Sequence, residues 1–260
     1  MHRDWKHQAS EIWLMARRAC LTASDVKKLI PDYKRVKAGK IELSQAQQFA
    51  KVYGDKKSLD MDPMSYGAAA RGHVLEPHAV DEFVAHTKTA VPYHWWDDRL
   101  IVNDALGFSP DALDIEQLPG TRFKFKYDMG KGRLVGKTGT YRPPEHLIEI
   151  KCYEAGAYYQ RMSMAAEDIP LDERWQLACA MAVCPTIGIA HLMFYAPQCR
   201  SWFYKTYDCS DLFHEIETVS EIGNMWLEFK EIMDDADEKM SIKTMKTEQE
   251  IYEAYLLDNI

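Results

Sequence analysis

The sequence lacks paired cysteines, long apolar runs and low-complexity tracts. Its six cysteines, at positions 20, 152, 179, 184, 199 and 209, form no C-x-x-C pair, which argues against a zinc knuckle and gives no support for an iron–sulfur cluster. No apolar run approaches the roughly 20 residues that span a bilayer, and the first residues lack the apolar segment of a secretory signal. We therefore expect no membrane association, a cytoplasmic location and cysteines that are small buried hydrophobes.

The net charge of −8 is distributed unevenly along the chain. Residues 1–57 carry 13 Lys or Arg against 6 Asp or Glu, residues 115–146 carry 7 against 3, and residues 208–260 carry 4 against 15. A polyanion can bind the two basic regions while the acidic region faces elsewhere. Ordinary solvated faces explain the same charges equally well. For the acidic region we expect a helix packed across the sheet, with binding of a basic partner or mimicry of DNA as the alternative.

Hydrophobic periodicity predicts a mixture of helices and strands. The predicted helices cover residues 9–18, 22–30, 41–53, 64–86, 154–164, 172–183, 210–236 and 247–257, and the helix over 22–30 is capped at Thr22 and ends before Pro31. The predicted strands cover residues 99–105, 107–114, 121–128, 133–141, 146–152, 187–196 and 201–207. This order predicts an α/β or α+β fold with a mixed central sheet flanked by helices, an inserted basic hairpin at about 115–145 and C-terminal helices from about 210 to 260. We expect one domain over residues 1–260.

Two charged residues stand inside the apolar strand predicted over residues 146–152. Glu149 and Lys151 lie two positions apart, so a strand projects both side chains from the same face. Charges there are costly unless they share a metal, a water or a phosphate. Upstream, the segment Gly107 to Asp111 ends a short apolar stretch in a carboxylate. Asp111, Glu149 and Lys151 together resemble the PD-(D/E)xK signature of metal-dependent nucleases.

Phosphodiester hydrolysis with a divalent metal needs oxygen ligands, an activated water and stabilisation of developing negative charge. Asp111 and Glu149 supply carboxylates, and the backbone carbonyl of Ile150 is a plausible third ligand. Lys151 is suited to orient or deprotonate the water and to neutralise charge. A pattern of three residues also occurs by chance, so the interpretation depends on further motifs.

Five motifs in matching order resemble the lambda exonuclease or YqaJ-like viral recombinase family of PD-(D/E)xK nucleases. They are Trp13-x-x-x-Arg17-x-x-x-x-Thr22-Ala23-Ser24-Asp25, Gly67 through Glu76-Pro77-x-Ala79, Gly107-Phe108-Ser109-Pro110-Asp111, Leu147-Ile148-Glu149-Ile150-Lys151-Cys152, and Trp175-Gln176-Leu177-Ala178. They cover roughly residues 10 to 180. Together they are far more specific than any one of them.

The resemblance implies a restriction-endonuclease-like core and a Mg²⁺-dependent enzyme, with Mn²⁺ able to substitute. The implied activity is 5′→3′ degradation of one strand of linear double-stranded DNA, leaving 3′ overhangs for a single-strand annealing protein in phage-type recombination. It further implies a homo-oligomeric ring, with a trimer favoured, and a phage protein acting in the cytoplasm of a bacterial host.

The resemblance also implies roles for single residues. Arg17 would bind the 5′-terminal phosphate, a task that suits a bidentate guanidinium, and Ser24, with Thr22 as a further candidate, would add hydroxyl donors. Glu76 would join the metal site directly or through water. Gln176 would bind the attacking water or the scissile phosphate.

The chain departs from the family pattern between the aspartate and the E-x-K strand, which are separated here by 38 positions. Lys124 and Lys126 alternate with aromatic residues in the extra hairpin, so one face could track phosphate or stack on bases. Packing on its own domain or on a neighbouring subunit is the alternative. The insertion also leaves Asp114 as an alternative to Asp111. A related endonuclease or single-strand-end nuclease, or a catalytically silent DNA-binding module, remain alternative functions.

Overall fold

The computed structural model describes residues 17–57, 66–88, 94–95, 100–114, 125–128, 133–136, 144–165 and 171–258. Trp13 and most of the predicted helix over residues 9–18 lie outside the described residues. Of that helix, residues 17 and 18 are described and are helical, together with Ala19. No helix in the described part of the chain is both long and apolar enough to cross a membrane.

The described chain alternates between helices and short strands. The helices are α1 (Ala23–Lys37), α2 (Gln47–Lys57), α3 (Tyr66–Thr87), α4 (Ala155–Ala165), α5 (Leu171–Val183) and α6 (Phe213–Asp258), with 3-10 turns at Leu43–Gln45 and Pro197–Cys199. The strands are β1 (His94–Trp95), β2 (Ile101–Val102), β3 (Gly107–Phe108), β4 (Ala112–Leu113), β5 (Phe125–Asp128), β6 (Arg133–Gly136), β7 (His146–Cys152), β8 (Ile189–Ala196) and β9 (Ser201–Asp208).

Within the described residues, a five-stranded sheet has the order β1-β4-β7-β8-β9. Strands β7 and β8 run parallel, and the other neighbouring strands run antiparallel. Parallel neighbours need a crossover connection, which α4 and α5 supply. The mixed sheet with helices confirms the predicted architecture and makes β7 its central strand. Strands β5 and β6 pair antiparallel from Phe125↔Gly136 to Asp128↔Arg133, which confirms the inserted hairpin.

Helices cover both faces of the sheet. On one face Val80 and Phe83 of α3 pack with Ile148 and Ile150 of β7. On the other face Leu147 of β7 joins a larger core formed with α1, α2, α5 and α6. Side chains alternate between the faces of a strand, so Glu149 and Lys151 point to the same side as Leu147. The two charged residues therefore stand in a strand whose adjacent residues are buried on both faces of the sheet.

The predicted boundaries of α1 and α2 are wrong. Helix α1 does not end before Pro31 but continues to Lys37. A proline removes one backbone donor, and the loss is tolerated here because Leu29 before it and Tyr33 after it pack against the core. The helix predicted over 41–53 is a 3-10 turn followed by α2, which runs past Gly54 to Lys57.

The two predicted C-terminal helices are one helix of 46 residues, α6. No glycine or proline stands between residues 236 and 247 to interrupt it.

The strand predicted over 107–114 is divided into two short strands. Its first part, β3, pairs with β2, and its second part, β4, pairs with β7. The break falls at Pro110, which has no N–H for a continuous ladder.

The acidic helix α6 packs against the basic amino-terminal helices. Lys37 Nζ lies 3.0 Å from the Glu221 carboxylate and Lys57 Nζ lies 3.0 Å from Asp234 Oδ1. The Tyr53 hydroxyl donates to Asp234 Oδ1 at 2.6 Å. Exposed ion pairs of this kind contribute only about 0–1 kcal/mol each. They show, however, that the acidic region is a packed helix, as predicted, but it packs on α1, α2 and α5, where packing across the sheet was expected. Some of the amino-terminal positive charge is neutralised within the molecule.

Candidate active site

The charged pair of β7 is in contact and partly open to solvent. Lys151 Nζ lies 2.6 Å from Glu149 Oε1. The side chains keep 22% and 14% of their accessible surface, respectively, so both are largely desolvated yet reachable from outside. A central strand thus presents a carboxylate and an ammonium at one point on its surface.

Asp111 lies beside this pair because β4 runs antiparallel to β7. Ala112 is registered with Ile148 and Leu113 with Leu147, which brings Asp111, the residue before β4, next to Glu149. Asp111 Oδ2 accepts a hydrogen bond of 2.7 Å from the backbone N–H of Ile150.

Asp114 occupies the other end of the same strand pair. Its Oδ1 accepts hydrogen bonds from the backbone N–H groups of Glu145 and His146, at 2.9 and 2.8 Å. The side chain is buried and closes the amino-terminal end of β7. Of the two aspartates considered from the sequence, Asp111 is therefore the one beside Glu149.

The backbone carbonyl of Ile150 is directed toward the same edge as its N–H group. Within a strand the N–H and C=O groups of one residue point to the same side, so the carbonyl faces the place where β4 has ended. The register of β4 on β7 sets Pro110 opposite Ile150, and proline has no N–H to donate. The Ser-Pro-Asp sequence thus ends the ladder at the point where a backbone oxygen could serve as a ligand.

Glu76 on α3 completes an acidic cluster with Asp111 and Glu149. Burial, followed by the charges of Glu149 and Glu76, raises the pKa of the Asp111 carboxyl well above its usual value, while Lys151 acts in the opposite direction. Burial lowers the pKa of Lys151, but the charges of Glu149 and Asp111 outweigh it and the pKa is raised. Glu76 Oε1 reaches back over its own helix, where a Cβ at Gly72 would lie 3.1 Å from it. Glu149 and Asp111 therefore act on the Lys151 ammonium, and Glu76 adds a third carboxylate that acts on Asp111.

This cluster fits a divalent cation bound mainly by water and two carboxylates. Among the residues whose side chains are described, no three His, Cys, Asp or Glu side chains are grouped as a metal site. Mg²⁺ commonly keeps several waters and takes only one or two protein carboxylates. Asp111 and Glu149, with the Ile150 carbonyl, provide such a set, and the charges of Glu149 and Glu76 acting on Asp111 concentrate negative charge at this place.

A pocket of about 190 Å³ adjoins the cluster and includes Glu149 in its wall. Its polar lining comprises Arg17, Thr22, Ser24, Ser109, Glu149 and Gln176, and the rest of its lining comprises Ala23, Leu100, Gly107 and Phe108. The structure thus brings the residues predicted to bind a terminal phosphate together with Glu149 and Gln176. Gln176 lies on a helix, as predicted; this helix, α5, is the second one after the strand that carries Glu149.

The segment carrying Arg17 to Ser24 is attached to the chain that leads to Asp111. Leu21 N–H donates to Ala105 O and Gly107 N–H donates to Leu21 O, each at 2.8 Å. These bonds connect the Arg17–Ser24 side of the pocket to β3, which begins four residues before Asp111. The pocket is therefore held by backbone pairing as well as by side chains.

Gly107 is needed for this attachment. A Cβ built at Gly107 would lie 2.5 Å from Cys20 Sγ and 3.0 Å from Val102 Cγ1. We expect Gly107→Ala to lower the free energy of unfolding by about 1–3 kcal/mol, because overpacking forces buried neighbours apart. Urea unfolding checks the loss, and Cys20→Ala added to Gly107→Ala is expected to restore part of it. A loss that is the same in both backgrounds would contradict the proposed clash.

Thr22 has a structural contact in addition to its place in the pocket. Its hydroxyl donates to Asp25 Oδ2 at 2.9 Å and lies 3.0 Å from the Ser24 hydroxyl. Thr22 is buried and Ser24 is exposed. Ser24 is therefore the hydroxyl at the surface of the pocket, whereas Thr22 begins α1.

Some predicted site residues cannot be placed. Lys124 lies outside the described residues, and Lys126 is described only as part of the backbone of β5. Sequence reasoning missed Lys56, whose ammonium contacts the backbone of Arg17, and the apolar wall of the pocket. A lysine in a helix some 40 positions from Arg17 offers no sequence signal for such a contact.

The chain is similar to known proteins in family and in fold. Residues 12–186 match the family described as the YqaJ-like viral recombinase domain. No curated protein sequence matches at a significant level. Among solved structures, the fold is similar to the alkaline exonuclease LHK-Exo from Laribacter hongkongensis, with a TM-score of 0.52 and 19% identity over 88% of this chain and 99% of that one.

A crystal structure of LHK-Exo in complex with dAMP gives a TM-score of 0.53 and 20% identity, with the same coverage of 88% and 99%. At this level of identity the likeness concerns the fold. That fold is restriction-endonuclease-like, as the sequence motifs imply.

Proposed function

Because the chain belongs to the YqaJ-like viral recombinase family, we propose that it is a Mg²⁺-dependent exonuclease that degrades linear double-stranded DNA from the 5′ end. The family and the exonuclease fold support a nuclease role. The direction of digestion rests on one observation, the pocket shared by Arg17, Ser24, Gln176 and Glu149. In that pocket Arg17 and the Ser24 hydroxyl, which are suited to bind a terminal phosphate, lie together with Glu149 of the acidic cluster.

The acidic cluster provides the chemistry of cleavage. Asp111, Glu149 and the Ile150 carbonyl would hold a divalent cation, which Glu76 would join directly or through water. Such a cation would lower the pKa of a bound water and polarise the scissile phosphate. Lys151, 2.6 Å from Glu149, orients the water and neutralises charge that develops on the phosphate. Gln176 positions the water or the scissile phosphate through its amide.

The terminal phosphate is bound on the opposite side of the pocket. Arg17 binds it through two N–H groups, and Ser24 donates its hydroxyl. The Thr22 hydroxyl has one proton, which it donates to Asp25 Oδ2, so Thr22 supports the turn that carries Ser24. A phosphate fixed there sets the distance from the chain end to the cleaved bond, which supports release of one nucleotide at a time. Leu100 and Phe108 provide an apolar surface for the terminal nucleoside.

The product of this reaction is a duplex with a 3′ single-stranded overhang, the substrate of a single-strand annealing protein. The biological setting we propose is phage-type recombination in the cytoplasm of a bacterial host. The proposed assembly is a homo-oligomeric ring, with a trimer favoured, and the proposed metal is Mg²⁺, which Mn²⁺ can replace. The whole chain acts as one nuclease domain, and Lys124 and Lys126 of the hairpin contact DNA.

Digestion of end-labelled duplexes tests the direction and the substrate. Linear duplex labelled at one 5′ or one 3′ terminus and closed circular duplex are incubated with Mg²⁺ or with EDTA. We expect the 5′ label to be released first as mononucleotide, only with Mg²⁺, and the circle to remain intact. Cleavage of the circle would favour an endonuclease, release of the 3′ label first would reverse the direction, and absence of any digestion would favour a DNA-binding module.

A further inference from the structure

Lys56 is a largely buried lysine that contacts the segment from Arg17 to Asp25, and its ammonium has three oxygen partners. Its side chain keeps 14% of its accessible surface. Lys56 Nζ donates to the backbone carbonyls of Arg17 at 3.0 Å and Cys20 at 2.7 Å, and it lies 2.8 Å from Asp25 Oδ2. An ammonium has three N–H donors, and these three acceptors match them. Lys56 does not line the pocket, so it is not placed to bind a phosphate itself.

The first two contacts hold the helical turn that carries Arg17. The last carbonyls of a helix have no partner within the helix, and a nearby lysine can satisfy them. Residues 17–19 are the end of a helix, and Lys56 binds the carbonyls of Arg17 and Cys20 at this end. Fixing these carbonyls fixes the backbone from which the Arg17 guanidinium extends into the pocket.

The third contact holds the hydroxyl side of the pocket through Asp25. Asp25 Oδ2 accepts hydrogen bonds from the Thr22 backbone N–H at 3.0 Å and from the Thr22 hydroxyl at 2.9 Å. The Thr22 hydroxyl lies 3.0 Å from that of Ser24. Burial raises the pKa of Asp25, but the charge and hydrogen bond of Lys56 and the hydrogen bonds of Thr22 outweigh it, so the pKa is lowered. The carboxylate stays ionised and keeps Thr22 in place.

We propose that Lys56 is a positioning residue for the 5′-phosphate site, which it preorganises by holding Arg17 on one side and the Thr22–Ser24 turn on the other. The proposal rests on the proposed function, because it assigns the pocket to a terminal phosphate. Groups held in position before binding lose less freedom when the ligand arrives. Misplacement of a binding group by about 1 Å can cost up to about 100-fold in rate.

The test compares ends with and without the phosphate. We measure kcat/KM of the full-length protein on linear duplexes that carry a 5′-phosphate or a 5′-hydroxyl, and we take the ratio as the phosphate preference. Lys56→Met is expected to reduce this preference about tenfold, mainly through KM. A lysine that only stabilises the fold would lower both rates together and leave the ratio unchanged.

Lys57→Met is the matched control. The neighbouring ammonium is 57% exposed and pairs with Asp234 on α6, so its removal is expected to leave both the activity and the preference unchanged. An equal fall in preference for Lys57→Met would overturn the proposal, because it would show a general effect of charge on α2.

A second variant keeps the test decisive if Lys56→Met unfolds. Removing one partner of a buried pair leaves an uncompensated charge, whereas removing both charges is better tolerated. The double variant Lys56→Met with Asp25→Asn is expected to fold, which thermal melting checks. Its preference for a 5′-phosphate is still expected to be reduced about tenfold. A wild-type preference in the folded double variant would overturn the role of Lys56. A wild-type protein that shows no preference would instead overturn the phosphate assignment on which the role rests.

Discussion

Asp111→Asn is expected to abolish metal-dependent cleavage while making the metal-free protein more stable. The asparagine oxygen can still accept the hydrogen bond from Ile150 N–H, which is 2.7 Å long in the wild type, so the strand pairing is kept. The negative charge that a cation requires is lost. Since a bound cation supplies several kcal/mol to such reactions, the rate on linear duplex is expected to fall by at least about 10³-fold.

The gain in stability follows from the charges around Asp111. Burial and the neighbouring Glu149 and Glu76 raise its pKa in the folded state, so ionising it costs folding free energy at every pH above its ordinary pKa. Asparagine removes that cost, and the free energy of unfolding is expected to rise by roughly 1 kcal/mol at neutral pH. Because the wild-type carboxyl becomes protonated as the pH falls through its raised pKa, the difference shrinks toward acid pH.

Urea unfolding in EDTA at several pH values, together with single-turnover digestion in Mg²⁺, measures both effects. Asp114→Asn is the matched control, since Asp114 is buried but bonds only the backbone of Glu145 and His146 among the contacts described for it. Its activity is expected to stay within about threefold of wild type, because its hydrogen bonds are retained. If Asp114→Asn abolished cleavage and Asp111→Asn did not, the two aspartates would have been assigned in the wrong order.

Arg17→Gln is expected to remove the preference for a 5′-phosphate. Arg17 lines the pocket with Ser24 and Glu149, and a charge-assisted pair of hydrogen bonds to phosphate contributes about 1.5–3 kcal/mol. The rate on phosphorylated ends is therefore expected to fall by roughly 10- to 100-fold. Ends that carry a 5′-hydroxyl offer no phosphate for Arg17 and are expected to be digested at nearly the wild-type rate.

Arg18→Gln is the control for this prediction. Arg18 is adjacent in sequence but is not among the residues that line the pocket. We expect its phosphate preference to equal that of the wild type when kcat/KM is measured on both kinds of end. If Arg18→Gln lost the phosphate preference and Arg17→Gln kept it, the helix register would place Arg18, not Arg17, at the phosphate.

The parts of the site that follow from local pattern could be predicted from the sequence. Glu149 and Lys151 share a strand, and the period of a strand alone sets them on one face. The order of the motifs identified Asp111, Glu76 and Gln176 as candidates. The register of β4 on β7 places Asp111 beside Glu149, and Glu76 is close enough to raise the pKa of Asp111.

The parts of the structure that depend on contacts between distant segments could not be predicted from the sequence. Lys56 binds the backbone of Arg17 across 39 positions, and no local pattern specifies such a partner. Pro31 was expected to end a helix, yet packing of the flanking Leu29 and Tyr33 keeps the helix continuous. The pairing of Lys37 and Lys57 with α6 depends likewise on how the helices pack, and from the sequence the acidic region was expected to face elsewhere.

The single-turnover rate of Glu149→Gln on linear duplex with Mg²⁺ tests most directly that β7 carries a nuclease centre. Glu145→Gln, an exposed residue just before the same strand, serves as the control. The predicted result is a loss of at least about 10³-fold for Glu149→Gln, less than about twofold for Glu145→Gln, and unchanged thermal melting for both. A folded Glu149→Gln protein that digests DNA within tenfold of the wild-type rate would contradict the account.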